Sequence, residues 1–172
     1  MIRFAHAYIC CLFVAELLLL SVSVAAHVSV LTGHMELFGG YESVLFCTAL
    51  VLAVPASFLA EDRNIWKHEF KSNPKWLRAA TLILMIYAFA TSFLEVLLRA
   101  DGDPFHAGSL FFTAMPFFFQ AMSLCILYSL LWARPLGGKE LIRRVRISLI
   151  GSAVCLALIA SAKSGIFPHP KE

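Results

Sequence analysis

The sequence predicts an all-α integral membrane protein, a polytopic bundle of five transmembrane helices that forms one domain over residues 1–172. Three observations predict this fold class: the composition, the long uncharged stretches and the one-sided placement of the cations. Of the 172 residues, 60% are hydrophobic and 15% are charged, and the mean hydropathy is +0.80, whereas a soluble domain carries about 25% charged residues. This composition excludes a soluble globule, which has too little interior to bury so much apolar surface, and a disordered chain.

Five stretches are apolar enough to cross a bilayer, which takes about 20 residues of helix. The second predicted span is uncharged between Glu42 and Glu61. The fifth is the shortest, and the long side chains of Arg146 and Lys163 at its ends can reach the lipid headgroups. The predicted bounds of the five spans are residues 8–31, 41–60, 79–98, 108–132 and 146–162.

The first and third spans contain ionisable residues, and the fourth span begins just after one. The first carries Glu16 and His27, and the third carries Glu95 near its end. The fourth span follows a turn at Asp103-Pro104. Between Pro104 and Arg134, His106 is the one residue among His, Asp, Glu, Lys and Arg. Because ionisable groups are costly inside a bilayer, these few positions are the best pointers to function.

The placement of Lys and Arg predicts the orientation. The two predicted inner loops, residues 61–78 and 133–145 with Arg146 at the boundary, hold five cations each. With Arg3, the side that contains them carries eleven cations against three on the other side. Cytoplasmic loops are the ones enriched in Lys and Arg, so the N-terminus is predicted inside and the C-terminus outside.

A cleaved signal peptide is the alternative interpretation of the first span. Arg3 would form the basic segment, residues 8–20 the apolar segment, and Val24-Ala25-Ala26 the cleavage site. Glu16 within the apolar segment argues against it. Cleavage would leave four spans and the same loop polarity.

Aromatic and basic residues of the two inner loops are predicted to anchor the protein at the lipid interface. In the first loop, Trp66 and Phe70 share the helical spacing of four with Lys67 and Lys71, which is typical of a short interfacial helix. We expect these loops to contact anionic lipid. The predicted anchors are Trp66, Lys67, Phe70, Lys71, Trp76, Arg78, Arg143, Arg144 and Arg146.

The candidate functional site is a polar stripe inside the membrane. At 100° per residue, Ser23 and His27 each lie about 20° from the direction of Glu16 on the first helix. This face is predicted to point into the bundle, together with Glu95 of the third span and Gln120 of the fourth. Glu16 is expected to pair with Gln120 or with a serine.

The fourth span divides into a polar side and an aromatic side. Thr113, Pro116, Gln120 and Ser123 share one side, and Pro116 is expected to kink the helix there. The phenylalanines at positions 111, 112 and 117–119 supply bulk that suits contact with lipid.

Metal, haem and other cofactors are not predicted. Imidazoles and carboxylates on the outer side suit zinc or iron, and the weak candidates are His27, His34, His106 and Glu42. However, no HxxH or HExxH spacing supports a metal site. The cysteines lie within spans and form no CxxC, and there is no phosphate-binding glycine motif, so redox, nucleotide and nucleic-acid partners are not expected.

The leading functional hypothesis is a small non-catalytic membrane protein that acts as an accessory, assembly or scaffold subunit. It would pack against a copy of itself or a larger complex through Ser21, Ala25 and Ser29, which form a small-residue face on the first helix. The alternative is a bundle that conducts a ligand, proton or ion along the polar stripe. A membrane-embedded metal- or haem-binding protein is the second alternative.

The predicted location is a bacterial inner membrane, crossed several times. The Trp66-Lys67 pair, the Asn73-Pro74-Lys75-Trp76 stretch and the ILYS sequence at 126–129 resemble segments of small bacterial inner-membrane proteins. This resemblance identifies no family, and no property is inferred from it.

Overall fold

The computed structural model describes residues 1–33, 41–60, 69–100, 104–133 and 136–163. These residues are 93% helical and include no strand, which confirms the predicted all-α class. The helices are α1 (Ile2–Leu31), α2 (Glu42–Leu59), α3 (Lys75–Ala100), α4 (Pro104–Tyr128) and α5 (Gly138–Lys163). A π-helical turn, Ser129–Ala133, extends α4.

Each helix coincides with one predicted span: α1, α3, α4 and α5 begin four to eight residues before it, and α2 falls one residue short at each end. The start of α1 at Ile2 lies six residues before the predicted start at Tyr8. Its end is set by Gly33, whose positive φ of 77° places it in the left-handed region where glycine stops a helix. His34 lies outside the described residues.

Helix α4 is the centre of the bundle and contacts α1, α2 and α3, while α5 packs on α2 and α1. Successive helices run in opposite directions, as three contacts illustrate. Phe13 near the start of α1 meets Trp132 after α4, Phe46 near the start of α2 meets Phe112 near the start of α4, and Arg144 near the start of α5 meets the end of α2.

One end of the bundle carries most of the described cations, and we call it the basic end. There α1, α3 and α5 begin, and α2 and α4 end. Eight of the ten Lys and Arg residues in the described ranges belong to it, and the other two, Arg99 and Lys163, lie at the far ends of α3 and α5. The eight are Arg3, Lys71, Lys75, Arg78, Lys139, Arg143, Arg144 and Arg146.

An apolar core closes the bundle at the basic end. It joins the start of α1, the end of α2, the end of α4 and the start of α5. Its buried members are Ala5, Ile9, Ala56, Leu59, Ile126, Leu127, Leu130, Leu141 and Val145.

The surface of the bundle is apolar, and three helical stretches are long and apolar enough to cross a membrane: Ile2–Leu31, Lys75–Glu95 and Leu110–Ala133. The apolar part of α2, Ser43–Leu59, is shorter. Large side chains such as Leu18, Ile83 and Phe93 are about two-thirds exposed. So much exposed apolar surface marks a protein that contacts lipid or other apolar partners, and it indicates association with a membrane.

Polar contacts fix α5 against α2 and α1. The Ser148 hydroxyl donates to the carbonyl of Pro55 at 2.9 Å and lies 3.0 Å from the Tyr8 hydroxyl. Arg144 is 5% exposed, and its Nη1 donates to the carbonyl of Leu59 at 2.9 Å. Because the last carbonyls of a helix have no partner within it, Arg144 acts as a cap for α2. It therefore lies inside the protein, whereas the sequence predicts it at the lipid interface.

The carboxylate of Glu140 holds the two neighbouring arginines of α5. It accepts hydrogen bonds from Arg143 at 2.7 and 2.9 Å and from Arg144 Nε at 2.8 Å. These bonds, those of Arg143 first, lower the pKa of Glu140 from its ordinary value of 4.5 to about 2.

The depressed pKa of Glu140 predicts a loss of stability in acid. A carboxyl whose pKa is lower in the folded state stabilises the fold fully above its unfolded pKa, and this contribution disappears as the pH falls through the folded value. We therefore expect wild-type protein to lose stability between about pH 4.5 and 2. In denaturant titrations across this range, Glu140→Gln should lose less; equal pH slopes for the two proteins would contradict the assignment.

Candidate functional site

The polar stripe of α1 faces the interior of the bundle, against α4. Glu16 and Ser23 are fully buried and His27 is 3% exposed. The spacings of seven and four keep all three on one side of a helix with 3.6 residues per turn. Because α4 runs antiparallel to α1, the stripe meets Ser123, Gln120 and Thr113 in that order.

His27 joins three helices through its two ring nitrogens. Nδ1 lies 2.9 Å from the Thr113 hydroxyl of α4, and Nε2 lies 2.6 Å from the Tyr87 hydroxyl of α3. Since the Thr113 hydroxyl donates to the carbonyl of Leu110, we assign the ring proton to Nδ1, with Nε2 accepting from Tyr87. Phe117 packs edge-on against the imidazole ring.

Gln120 and Ser23 form the next contact towards the basic end. Gln120 Nε2 donates to Ser23 Oγ at 2.8 Å, and the same hydroxyl donates to the carbonyl of Leu19 at 2.9 Å. This chain of donors fixes the orientation of the Gln120 amide, because Ser23 accepts the NH₂ group. Gln120 Oε1 therefore points to another neighbour, and among the described residues it has no hydrogen-bond partner.

Glu16 lies in the polar contact between α1 and α4, which we call the seam. The sequence predicts Gln120 or a serine as its partner, and Gln120 donates to Ser23 instead. The Ser123 hydroxyl is the polar group that interacts with its carboxyl. Within the described part of the chain, neither carboxyl oxygen nor Ser123 Oγ completes a hydrogen bond of good geometry. Buried polar atoms are normally paired, so such a group requires a functional or chemical explanation.

Glu95 lies on α3, two turns beyond Tyr87 and away from the basic end. It is 3% exposed, and Thr91, which lies between them, is also buried. The structure thus brings Glu16, Ser23, His27 and Gln120 into one seam with α4. Glu95 continues the polar side of α3 beyond the His27 contact, and no described contact joins it to Glu16.

The phenylalanines at positions 111, 112 and 117–119 of α4 divide into one buried residue and four half-buried ones. Phe117 is 3% exposed and contacts both His27 and Tyr87. Phe46 of α2 packs against the half-buried phenylalanines at positions 111, 112 and 119. The expectation of lipid contact is wrong for Phe117, because this side of α4 packs against α1 and α3.

A second buried polar cluster, at the basic end, is absent from the sequence prediction. Ser129 donates to Glu69 Oε2 at 2.5 Å and lies 2.9 Å from the Ser72 hydroxyl. Asn73 Nδ2 donates to the carbonyl of Cys125 at 2.8 Å. Glu69 is 2% exposed although Lys67 and Lys71 flank it two positions away in the sequence. The Asn73-Pro74 break, which turns the chain back into α3, is the one local signal for this packing.

The predicted interface anchors occupy different environments. Trp66 and Lys67 lie outside the described residues. Lys71, Trp76, Arg143 and Arg146 are exposed at the basic end, Phe70 and Arg78 are half-buried, and Arg144 is buried.

Of the four weak metal candidates, His27 is the one whose side chain the structure describes. Both ring nitrogens of His27 are engaged by hydroxyl groups. His34 and the side chains of His106 and Glu42 lie outside what is described. The described residues contain no group of three His, Cys, Asp or Glu side chains that could hold a metal ion.

Comparison with known proteins gives no relative. No protein-family model, no curated protein and no solved structure matches this chain.

The contact between His27 and Tyr87 predicts measurable energetic coupling between α1 and α3. Interhelical hydrogen bonds within membrane proteins contribute about 0.6 to 2 kcal/mol each. We expect Tyr87→Phe to lower the free energy of unfolding by about 1 kcal/mol, and His27→Leu to lower it further because two hydrogen bonds are lost. A double-mutant cycle, measured by unfolding in mixed detergent, should give a coupling energy of about 1 kcal/mol. Strictly additive effects would show that the two side chains do not interact.

Proposed function

We propose that the chain is a five-span protein of a bacterial inner membrane, with its N-terminus in the cytoplasm and its C-terminus outside. The alternating helix directions support this topology: α1 and α3 both start at the basic end, so the chain must return between them, and α2 is the described helix that does so. The cations at the basic end support a cytoplasmic position for it. Its exposed Lys and Arg side chains would then meet anionic headgroups.

Packing of the start of α1 supports a first span that is retained. Ala5 and Ile9 belong to the core at the basic end, and Glu16 and Ser23 belong to the seam with α4. Intact-mass measurement of the purified protein tests this point, and a species that lacks residues 1–26 would contradict it.

Within this topology, we propose that the bundle takes up a proton or small cation at Glu16 and passes it across the membrane. The observation that carries the proposal is the fully buried Glu16 carboxyl, neither oxygen of which completes a hydrogen bond of good geometry within the described residues. Ionisable groups inside membrane helices are costly, and in membrane proteins they mark pathways for ions and protons.

The seam gives Glu16 a polar route to one end of the bundle. From Glu16 to His27, a rise of about 16 Å along α1, the seam holds Ser123, the Gln120–Ser23 pair and the His27 contacts with α3 and α4. Towards the basic end, the same seam is filled by apolar side chains such as Ile9 and Ile126. This asymmetry supports loading from the outer side, with the apolar core as the barrier to the cytoplasm.

Proton flux in proteoliposomes tests the proposed function. With an internal pH-sensitive dye and an imposed membrane potential, wild-type protein should acidify the lumen faster than protein-free liposomes. Glu16→Gln, which keeps the shape of the side chain and removes its charge, should reduce the rate to that of protein-free liposomes. The matched control is Thr48→Ala on α2, because Thr48 is exposed and donates to the carbonyl of Val44 in its own helix. Equal proton flux and equal ²²Na⁺ flux in wild-type and Glu16→Gln protein would overturn conduction through Glu16.

The accessory or assembly role is the second candidate, and it is supported by a different face of α1. Ser21 and Ala25 are exposed and Ser29 is half-buried, on the side of α1 that the bundle leaves uncovered. Small residues at intervals of four let a second helix approach closely. Co-purification with a copy of the chain or with another membrane protein at fixed stoichiometry, lost in Ala25→Leu, would support this role, whereas a monomer in gentle detergent would oppose it.

A further inference from the structure

The buried atoms without partners around Glu16 are all oxygens. Two belong to the Glu16 carboxyl, one is Oε1 of Gln120 and one is Oγ of Ser123. Gln120 and Ser123 are three residues apart, and so lie on one face of α4. Ser123 faces Glu16 across the seam, and Gln120 lies one helical turn from Ser123 on the same face of α4.

The supply of hydrogens in this region is too small for the number of acceptors. The NH₂ group of Gln120 is directed to Ser23, and the Ser23 hydroxyl is directed to the carbonyl of Leu19. When Glu16 is ionised, the Ser123 hydroxyl is the one donor among these residues left for the carboxylate and the amide oxygen. A surplus of oxygen acceptors of this kind matches the ligand chemistry of a hard cation, which binds carboxylate, carbonyl and hydroxyl oxygens.

We propose that Glu16, Gln120 and Ser123 form a binding site for a single Na⁺ ion, a proposal that rests on the conducting function proposed above and specifies its ion. One monovalent cation neutralises the one carboxylate, whereas a divalent ion would leave a net charge in an apolar interior. Each of these oxygens is shielded from solvent, so a bound ion would be held by protein oxygens rather than by bulk water. The hydrogen bond from Gln120 to Ser23 positions the amide so that its oxygen is available as a ligand.

Thermal unfolding and direct binding of Na⁺ test this site on the purified full-length protein. The melting temperature is measured at equal ionic strength in NaCl, KCl and choline chloride, and ²²Na⁺ binding is measured at equilibrium. We expect a higher melting temperature in NaCl than in the other two salts, and one bound Na⁺ per chain. Both effects should be lost in Glu16→Gln and weakened in Ser123→Ala, and both should persist in the control Thr48→Ala.

The outcomes separate this site from the proposed function. Equal melting temperatures in the three salts, or a Na⁺ effect that survives Glu16→Gln, overturns the Na⁺ site. Proton flux that requires Glu16, without any Na⁺ effect, overturns the Na⁺ site and leaves conduction standing. Na⁺ binding that requires Glu16, in a protein that moves neither ion across liposomes, supports the site and overturns conduction.

Discussion

Replacing Glu16 by methionine is expected to stabilise the protein by about 2 kcal/mol in Na⁺-free buffer while it abolishes flux. A buried polar group without good hydrogen bonds costs about 1 to 3 kcal/mol, and Glu16 is fully buried while neither carboxyl oxygen completes a hydrogen bond of good geometry in the described structure. Methionine has a similar length and removes this cost. Such a trade of stability against activity is characteristic of functional sites.

The matched control for Glu16→Met is Val14→Met on the same helix. Val14 is 53% exposed, and substitutions at such surface positions change stability by less than about 0.5 kcal/mol. Unfolding in mixed detergent, with choline chloride as the salt, measures both variants. A loss of stability in Glu16→Met would show that the carboxyl is a structural group held by its neighbours, and it would remove the main support for the proposed function.

Replacing Arg144 by methionine is expected to lower the free energy of unfolding by about 3 kcal/mol. Removing one partner of a buried charged contact costs about 3 to 5 kcal/mol, and the lower figure applies here because Glu140 keeps its bonds to Arg143. Methionine retains the packing of the arginine stem but leaves the carbonyl of Leu59 without this donor.

The neighbouring Arg143 provides the control for this prediction. It binds the same carboxylate, but its side chain is 68% exposed, and exposed ion pairs contribute less than about 1 kcal/mol. Arg143→Met should therefore have a small effect on detergent unfolding. Equal effects of the two substitutions would contradict the capping role and favour the interfacial position that the sequence predicts for both arginines.

Features determined by a single helix could be predicted from the sequence. Glu16, Ser23 and His27 were placed on one buried face because the periodicity of an α-helix is local and needs no knowledge of its neighbours. The fold class followed from composition, and the positions of the five helices followed from the uncharged stretches between charged or polar boundaries.

Features that depend on which helices meet could not be predicted in this way. The central position of α4 places Phe117 against His27, whereas its sequence alone is equally compatible with lipid contact. Glu69 and Arg144 belong to charged stretches typical of an interface, yet each is buried because a partner distant in sequence, Ser129 or the carbonyl of Leu59, completes its hydrogen bonds. The sequence gives no sign that the Tyr87 hydroxyl hydrogen-bonds the His27 ring, because the two residues lie 60 positions apart.

Chemical modification of Glu16 is the most direct test of the central claim, that a carboxyl within the membrane interior serves as the ion-binding group. Proteoliposomes are treated with dicyclohexylcarbodiimide, which partitions into apolar phases, or with a water-soluble carbodiimide, and the modified peptides are mapped by mass spectrometry. We predict that the apolar reagent modifies Glu16 and stops flux, and that the water-soluble reagent modifies the partly exposed Glu140 but not Glu16. Modification of Glu16 by the water-soluble reagent, or undiminished flux after its modification by the apolar one, would contradict the account.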